Sequence, residues 1–377
     1  MSKKNSLTPK VGDQFDIVID SLSYHGGRGV GRHEGMVVFV AGASPGDRLS
    51  VEVTANKGRF LEAAIQTVLE RGPHFRQAPC PVAGECGGCA WQQVTYEEQL
   101  RQKQKILLDA TKRLRARAPF EFSQIVAAPE EFHYRNRIQL HRHGDQVGFF
   151  ATRSRQLVPI ESCRIAEEGI NRKISELRTE GYPNAEKFEL AMQPGDEVQV
   201  YLPDERAGFR FSQVNSAQNS KLIELVLNVV DKSVDWAMDL YCGSGNLTLP
   251  LAGLLGDVPL LAVELDPRAI ERAKSAKTKI TWQAGDVASV LKRQQRREGK
   301  GVVVLDPPRL GADRAVLSQI QRFRPNQIVY VSCNPTTFAR DAEILVESGY
   351  RIQSATGLDM FPQTEHVELV AALRMEP

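Results

Sequence analysis

The chain has 377 residues, of which 42% are hydrophobic and 25% are charged, and its formal net charge is +2. This composition is typical of a globular protein, and the length predicts two or three domains instead of a single core. No apolar run is long enough to cross a membrane and the polar start lacks the apolar segment of a signal peptide, so we expect a cytoplasmic protein whose six cysteines do not form a disulfide framework.

Basic side chains are concentrated in three parts of the sequence, at residues 101–117, 135–143 and 292–300. Each run alone is typical of a solvated surface. Because three such runs occur in one chain, the distribution favours a polyanionic partner.

Residues 1–70 are predicted to form a small β-barrel. Short strands at 15–19, 36–40, 48–53 and 61–68 are separated by turns at 26–29 and 44–47. This pattern is typical of a barrel of oligonucleotide-binding type, although a structural β-domain without a ligand has the same pattern. The segments 20–31 and 42–47 resemble a TRAM domain, a small RNA-binding barrel attached to several RNA-modifying enzymes, and this resemblance implies RNA binding.

Residues 71–210 are predicted to be a central α/β region that carries a cysteine site. Cys80, Cys86 and Cys89 lie on one glycine-rich loop, and Cys163 follows much later in the chain. Thiolates in this number can hold a tetrahedral zinc ion or an iron–sulfur cluster, and the three-plus-one spacing favours the cluster.

Two helices are predicted in the same region. The first, at residues 96–117, has an apolar stripe with basic residues opposite, and we expect it to pack on the catalytic domain. The second is at residues 170–178. Glycine and proline at 181–183 and 193–195 interrupt the strands around it.

From residue 211 the sequence predicts a doubly wound α/β domain. Apolar strands alternate with helices, which indicates a parallel sheet. Strands at 350–358 and 366–373 follow one another without a helix, which predicts a terminal antiparallel pair, as in methyltransferases that use S-adenosylmethionine. The preceding elements are predicted as a helix at 216–230 and strands at 236–241, 260–265, 302–305 and 327–331.

Residues at the ends of successive strands predict the methyl-donor site. The loop Tyr241-Cys-Gly-Ser-Gly-Asn246 is a glycine-rich strand-to-helix turn, but the third glycine of a dinucleotide fingerprint is absent. Glu264 can accept the ribose hydroxyls, and Asp286 is placed to meet the adenine edge. The alternative role of helix N-cap fits Asp266 better than Glu264. We therefore predict an S-adenosylmethionine site.

Cys333 is the predicted nucleophile. It follows an apolar strand, and Asp306 ends the strand before it, so both should face one cleft. A thiolate that adds to C6 of uracil makes C5 nucleophilic enough to accept a methyl group, and a base must then remove the C5 proton. Glu368 is the favoured base because it lies on the strand expected beside that of Cys333. Glu365 and His366 are the alternatives.

These motifs together resemble the bacterial RNA 5-methyluridine methyltransferases, specifically the ribosomal RNA branch that has a TRAM domain and an iron–sulfur cluster. The resemblance covers almost the whole chain and extends to the segments 211–215 and 361–368. It implies a [4Fe-4S] cluster on Cys80, Cys86, Cys89 and Cys163, donor contacts from Gln213, Tyr241, Asn246, Glu264, Asp286 and Asp306, Cys333 as nucleophile and Glu368 as base.

The predicted function is methyl transfer from S-adenosylmethionine to C5 of a uridine in 23S ribosomal RNA. The predicted domains are a TRAM barrel at 1–70, a central domain at 71–210 and a Rossmann-like methyltransferase domain at 211–377. The alternatives are the same chemistry on transfer RNA, a non-catalytic RNA-binding iron–sulfur protein, and an exocyclic-amine methyltransferase, which the Asp-Pro-Pro motif at residue 306 also suggests. We expect no membrane association and no obligate protein partner.

Overall fold

The computed structural model describes residues 9–180, 185–202, 213–274 and 279–376. The predicted break at 181–183 and the first two residues of the predicted donor segment, Phe211 and Ser212, lie outside the described residues. The chain divides into two compact units. The first comprises Met1–Lys103, Glu130–Arg206 and Phe361–Glu365, and the second comprises Gln104–Pro129, Ala207–Met360 and His366–Pro377.

The described elements fall into three groups along the chain: strands alone, then a mixture of helices and strands, and then strands that alternate with helices. The first group is β1 (Gln14–Leu22), β2 (Gly29–His33), β3 (Met36–Val40), β4 (Arg48–Asn56) and β5 (Phe60–Glu70). The second is α1 (Tyr96–Ala110), α2 (Lys112–Arg117), β6 (Phe122–Val126), β7 (Arg137–His143), β8 (Gln146–Phe150), β9 (Leu157–Pro159), α3 (Glu168–Glu180), β10 (Lys187–Met192) and β11 (Val198–Tyr201). The third is α4 (Ser216–Val229), β12 (Trp236–Leu240), α5 (Thr248–Leu255), β13 (Leu260–Glu264), α6 (Pro267–Ala273), β14 (Ile280–Ala284), α7 (Val287–Arg293), β15 (Gly301–Leu305), α8 (Arg314–Phe323), β16 (Gln327–Ser332), α9 (Pro335–Glu347), β17 (Tyr350–Leu358) and β18 (Glu368–Met375). Within the described ranges, no helix combines the length and the apolar character needed to span a bilayer.

The predicted barrel is confirmed, and it contains a strand that the sequence analysis did not identify. In the described part of the first unit, β1 to β5 close in the order β1-β2-β3-β5-β4 around a core that includes Ile19, Leu49 and Val51. The sequence analysis assigned Gly29 to a turn and no strand to residues 30–33, because glycine is rare in strands. Glycine is needed there, since a Cβ at Gly31 would lie 2.4 Å from the carbonyl oxygen of Val18.

The central sheet belongs to the same unit as the barrel. Among the described residues its strands have the antiparallel order β11-β10-β7-β8-β9. Buried side chains of the sheet, such as Ile138, Leu140 and Leu190, form one apolar core with Ile170 and Ile174 of α3. Helix α3 therefore covers one face of this sheet.

The predicted helix at 96–117 is two helices in the structure. They are interrupted at Thr111, whose hydroxyl donates to the Leu107 carbonyl at 2.7 Å, a local bond of the kind that distorts helices. The residues of α1 up to Lys103 belong to the first unit, and the chain from Gln104 to Pro129 belongs to the second. Part of the predicted basic surface is used inside the second unit, because Arg117 pairs with Glu343 of α9.

The second unit has the predicted doubly wound sheet. Its described strands have the order β14-β13-β12-β15-β16-β18-β17-β6, and β12 to β16 are parallel to their neighbours in this group. Strand β18 lies antiparallel between β16 and β17, which confirms the predicted terminal pair. It begins at Glu368, two residues later than predicted, so Glu365 and His366 lie before the strand.

Candidate active site

Cys333 and Glu368 lie at the same edge of the sheet in the second unit. Cys333 directly follows β16 and is half-buried. In the neighbouring β18, Leu369 is the partner of Ser332. Because β18 is antiparallel to β16, its first residue lies at the edge where β16 ends. That residue is Glu368, which is 3% exposed.

Asp306 lies at this edge as well. It follows β15, which pairs in parallel with β16 through Leu305 and Tyr330. The Asp306 N–H donates to the Leu240 carbonyl at 3.3 Å, so the residue continues the sheet at the end of β12. Three strands thus bring two carboxyl groups and one thiol to a single edge, as predicted from their positions in the sequence.

Arg309 adds a positive charge that the sequence analysis did not assign to the site. Its Nη2 donates to His366 Nε2 at 3.2 Å. Its carbonyl oxygen accepts from Asn334 Nδ2 at 3.0 Å and from Thr337 Oγ1 at 3.4 Å. Asn334 also caps α9 by accepting from the Thr336 N–H. The loop after β15 is therefore fixed to the residues that follow the thiol.

The charges at this edge change the proton affinity of all three acidic groups. The pKa of Cys333 is raised to about 11, first by burial and then by the negative charges of Glu368 and Asp306, whereas Arg309 lowers it. Burial and the charge of Asp306 raise the pKa of Glu368 well above its usual range. Burial also raises the pKa of Asp306. At neutral pH, Cys333 is consequently a thiol.

The glycine loop after β12 has a strained backbone. Tyr241 has a φ of 65°, a left-handed conformation that costs a non-glycine residue about 1–3 kcal/mol and is concentrated at functional sites. Gly243 and Gly245 also have positive φ values, of 54° and 91°. A Cβ at Gly243 would meet no atom of the described chain within 4 Å, so this turn borders open space that a ligand can enter.

Glu264 and Asn246 are both hydrogen-bonded around this loop. Glu264 ends β13, and its Oε2 and Oε1 accept from the N–H groups of Gly243 and Asp266, each at 3.0 Å. A carboxylate has further lone pairs, so Glu264 can also accept from hydroxyl groups. Asn246 exchanges two amide hydrogen bonds of 2.9 Å with Asn219 of α4.

Asp286 and Gln213 lie further from the glycine loop in the sequence. Asp286 is the N-cap of α7, and its side chain accepts from the Ser289 N–H at 2.9 Å. These hydrogen bonds lower its pKa, and it is exposed and ionised. Asp266 caps α6 as predicted, so Asp266 and Asp286 are both helix N-caps. Gln213 is half-buried and precedes Asn215, the N-cap of α4.

Asp239 is a residue of the site that the sequence analysis did not select. It lies on β12, is 1% exposed and accepts from the Thr248 hydroxyl at 2.5 Å. Its pKa is raised to about 7, mainly by burial, with contributions from Asp306 and Glu264. Its Oδ1 has no hydrogen-bond partner among the described residues. The signal in the sequence that could have identified Asp239 is an acidic residue inside an apolar strand. A buried hydrogen-bond acceptor of this kind can accept from an N–H or O–H group of a bound ligand.

The predicted cysteine site lies in the first unit. Cys80, Cys86, Cys89 and Cys163 line one cavity of about 200 Å³. Burial raises the pKa of Cys89 to about 12 and also raises those of Cys86 and Cys163, to which the neighbouring thiols contribute. In the part of the chain that the structure describes, no three Cys, His, Asp or Glu side chains are arranged to hold a single metal ion.

Hydrogen-bond donors surround the cysteine cavity. Backbone N–H groups reach the sulfurs of Cys86 and Cys163, and the Gln92 amide reaches that of Cys89. Arg135 also lines the cavity and lowers the pKa of Cys163. Soft thiolates with N–H donors and a nearby cation fit an anionic iron–sulfur cluster. The loop is attached to the end of β8, where the Gly87 N–H donates to the Phe150 carbonyl at 3.0 Å.

Comparison with known families and proteins agrees with this arrangement. Residues 195–284 and 296–375 match the family described as tRNA (uracil-5-)-methyltransferase, and residues 9–65 match the TRAM domain. An uncharacterized RNA methyltransferase of Bdellovibrio bacteriovorus is 36% identical over 100% of this chain and 98% of its own. The 23S rRNA (uracil(1939)-C(5))-methyltransferase of Pseudomonas savastanoi pv. phaseolicola is 31% identical over 97% of this chain and 94% of its own.

A solved structure matches the chain as well. It is the tRNA (uracil-54, C5)-methyltransferase of Pyrococcus abyssi in complex with S-adenosyl-L-homocysteine. The TM-score is 0.74 and the identity 25%, over 95% of this chain and 100% of the archaeal chain.

Proposed function

The chain belongs to the tRNA (uracil-5-)-methyltransferase family, whose members are S-adenosylmethionine-dependent RNA (uracil-C5-)-methyltransferases, and we propose that it methylates C5 of a uridine in 23S ribosomal RNA. The observation that supports this reaction most is the position of Cys333 beside Glu368 at one sheet edge, next to Asp306. A methyltransferase acting on an exocyclic amine needs no such thiol.

Cys333 is proposed as the nucleophile. Its thiol proton passes to the carboxylate of Asp306, one of the two acids that act on its pKa, and Sγ then bonds to C6 of the uracil. The electron pair of the C5–C6 double bond moves onto C5 and O4. C5 attacks the methyl carbon of the donor, and the bond between that carbon and the sulfonium sulfur breaks.

Glu368 is proposed as the base that completes the reaction. Its carboxylate removes the C5 proton, the C5–C6 double bond reforms and the Sγ–C6 bond breaks. Arg309 lowers the pKa of Glu368, which helps it to act as a carboxylate in this step. The alternatives are less suited: Glu365 belongs to the first unit and accepts from the Gly26 N–H at 3.2 Å, and His366 accepts from Arg309.

The donor site is proposed at the ends of β12, β13, β14 and β15. The open turn at Gly243 and the unpartnered Asp239 Oδ1 support a bound ligand there. The residues proposed to contact S-adenosylmethionine are Gln213, Tyr241, Asn246, Glu264, Asp286 and Asp306.

A [4Fe-4S] cluster is proposed on Cys80, Cys86, Cys89 and Cys163. The support is the single cavity with its thiols and N–H donors. Such a cluster supplies a cross-link between distant parts of the chain and a centre that can exchange one electron. None of the methyl-transfer steps above requires it.

The wider assignments are proposals of the same kind. The division into an RNA-binding barrel at 1–70, a central domain at 71–210 and a catalytic domain at 211–377 is supported by the barrel and the two sheets, except that Gln104–Pro129, with β6, belongs to the second unit. A cytoplasmic location is proposed because the ribosomal RNA substrate is made there in bacteria. Transfer RNA is the second candidate substrate, because the matching family and the archaeal structure are both named for it.

The test uses the full chain with tritiated S-adenosylmethionine and transcripts of 23S ribosomal RNA and transfer RNA. We expect label in 5-methyluridine of the ribosomal transcript, and none with Cys333→Ala, which should still bind S-adenosylhomocysteine. Undiminished methylation by Cys333→Ala would refute the proposed chemistry. Label confined to the transfer RNA transcript would replace the proposed substrate by the second candidate.

A further inference from the structure

The central sheet in the first unit has one face that α3 does not cover. Side chains alternate between the two faces of a strand. Ile138 and Leu140 of β7 belong to the core shared with α3, so Gln139, His141 and His143 lie on the opposite face. Gln139 and His143 are exposed, and His141 is half-buried.

Aromatic rings are stacked on this open face. The rings of His141 and Phe150 have centroids 3.8 Å apart and an interplanar angle of 22°. Their strands are neighbours, but the direct partner of His141 on β8 is Gly148. Because glycine has no side chain, the Phe150 ring can lie over the imidazole as a diagonal neighbour. His143 is a third ring, 6.4 Å from Phe150.

The charge on the face suits an anionic partner. Lys187 of β10 is exposed and is the direct partner of His141. Glu189, the acid on the same face of β10, is buried and paired with Arg137 at 3.2 Å. Burial, Lys187 and His143 lower the pKa of His141, so its ring is a neutral imidazole at pH 7. A neutral ring stacked on phenylalanine is a surface on which a nucleobase can stack.

We propose that His141, Phe150 and His143, with Lys187 beside them, form a platform that binds an unpaired segment of the RNA substrate. Bases stack on the rings, and the Lys187 ammonium contacts a phosphate. This surface, which we call the ring platform, rests on the proposed function in that its ligand is the RNA that the enzyme methylates. Sequence-tolerant stacking would hold the RNA while the target base is presented to Cys333.

The experiment measures fluorescence anisotropy of a fluorescein-labelled single-stranded oligoribonucleotide of mixed sequence, and of a blunt-ended, fully paired RNA duplex, with the full chain. Phe150→Leu keeps an apolar side chain without a ring, and Phe150→Trp keeps a ring. We expect Phe150→Leu to weaken single-strand binding by about 5-fold or more, and Phe150→Trp to retain it within about 2-fold. Lys187→Met should lower the slope of the logarithm of the binding constant against the logarithm of the salt concentration by the equivalent of about one phosphate contact.

Thermal melting and S-adenosylhomocysteine binding serve as controls and should be unchanged in Phe150→Leu. The ring platform is refuted if Phe150→Leu binds the single strand as tightly as the wild type, or if its affinity for the duplex falls by the same factor. Either result leaves the methylation chemistry intact. If the wild-type protein binds neither RNA, the proposed function itself fails.

Discussion

Replacing Glu368 by glutamine separates the first half of the proposed reaction from the second. The side chain is 3% exposed at the start of β18, and glutamine has nearly the same shape, so we expect the fold to be retained. Addition of Cys333 and methyl transfer need no base at C5. Release of the product does, so a covalent protein–RNA adduct should accumulate.

The size of the effect follows from the two roles of the carboxyl group. Loss of a positioned base lowers turnover by about 100- to 10,000-fold, or about 3–5 kcal/mol in the barrier. After burial, the charge of Glu368 is the next largest cause that raises the pKa of Cys333, which is about 11. Glutamine removes that charge, so the thiol should ionise at lower pH, and each unit gives about tenfold more thiolate near neutrality. Turnover should fall while thiol reactivity rises.

Both effects can be measured on the same preparations. The adduct is followed with end-labelled RNA on a denaturing gel, and thiol reactivity by the pH dependence of iodoacetamide alkylation at Cys333, quantified by mass spectrometry. The double variant with Cys333→Ala is the control and should give no adduct. Turnover within tenfold of the wild type, or lost turnover without an adduct, would contradict the role given to Glu368.

The other predictions concern the donor loop, the cysteine site and the pH dependence. Gly245→Ala should weaken S-adenosylhomocysteine binding by about 5-fold or more in calorimetry, because φ is +91° and the new Cβ would lie 3.0 Å from Trp282. The control is Gly253→Ala on α5, where a new Cβ would have no described atom within 4 Å. It should bind S-adenosylhomocysteine normally and have a higher melting temperature, because alanine favours helix. Equal affinities of Gly245→Ala and the wild type would contradict the role of the loop. Anaerobically purified protein should be brown, with about four irons and four sulfides per chain. The Cys163→Ser variant should lose the colour and the iron. A colourless wild-type protein that contains stoichiometric zinc would refute the cluster. The alkylation rate of wild-type Cys333 should rise about tenfold per pH unit from pH 7 to 10, since a raised pKa keeps the thiol protonated below about 11; a plateau below pH 9 would contradict that pKa.

Much of the second unit could be predicted from sequence because its signals are local. Apolar runs with polar ends predicted β12, β13, β15 and β16 to within a residue or two at each end, and chain order in a doubly wound sheet placed Asp306 and Cys333 at one edge. The position of Glu368 required one further inference, that the final strand lies beside the strand of the thiol, and its pairing with β16 confirms that inference.

The features that were missed depend on contacts that no local pattern encodes. Strand β2 is glycine-rich because the barrel backbone is crowded around Gly31. The helix predicted as one piece is interrupted by the side chain of Thr111. Arg309 was not assigned to the site, because its contacts with His366 and Asn334 join segments distant in sequence.

The position of β18 has a consequence for how the enzyme matures. This strand lies between β16 and β17, yet the ribosome makes it after both. During synthesis, Cys333 emerges well before Glu368, and β16 has an open edge until the later strand inserts. The proposed nucleophile and the proposed base therefore meet through a long-range pairing step. Under the proposed mechanism, catalytic competence is thus acquired together with closure of the sheet, and a partly made chain lacks one member of the proposed pair.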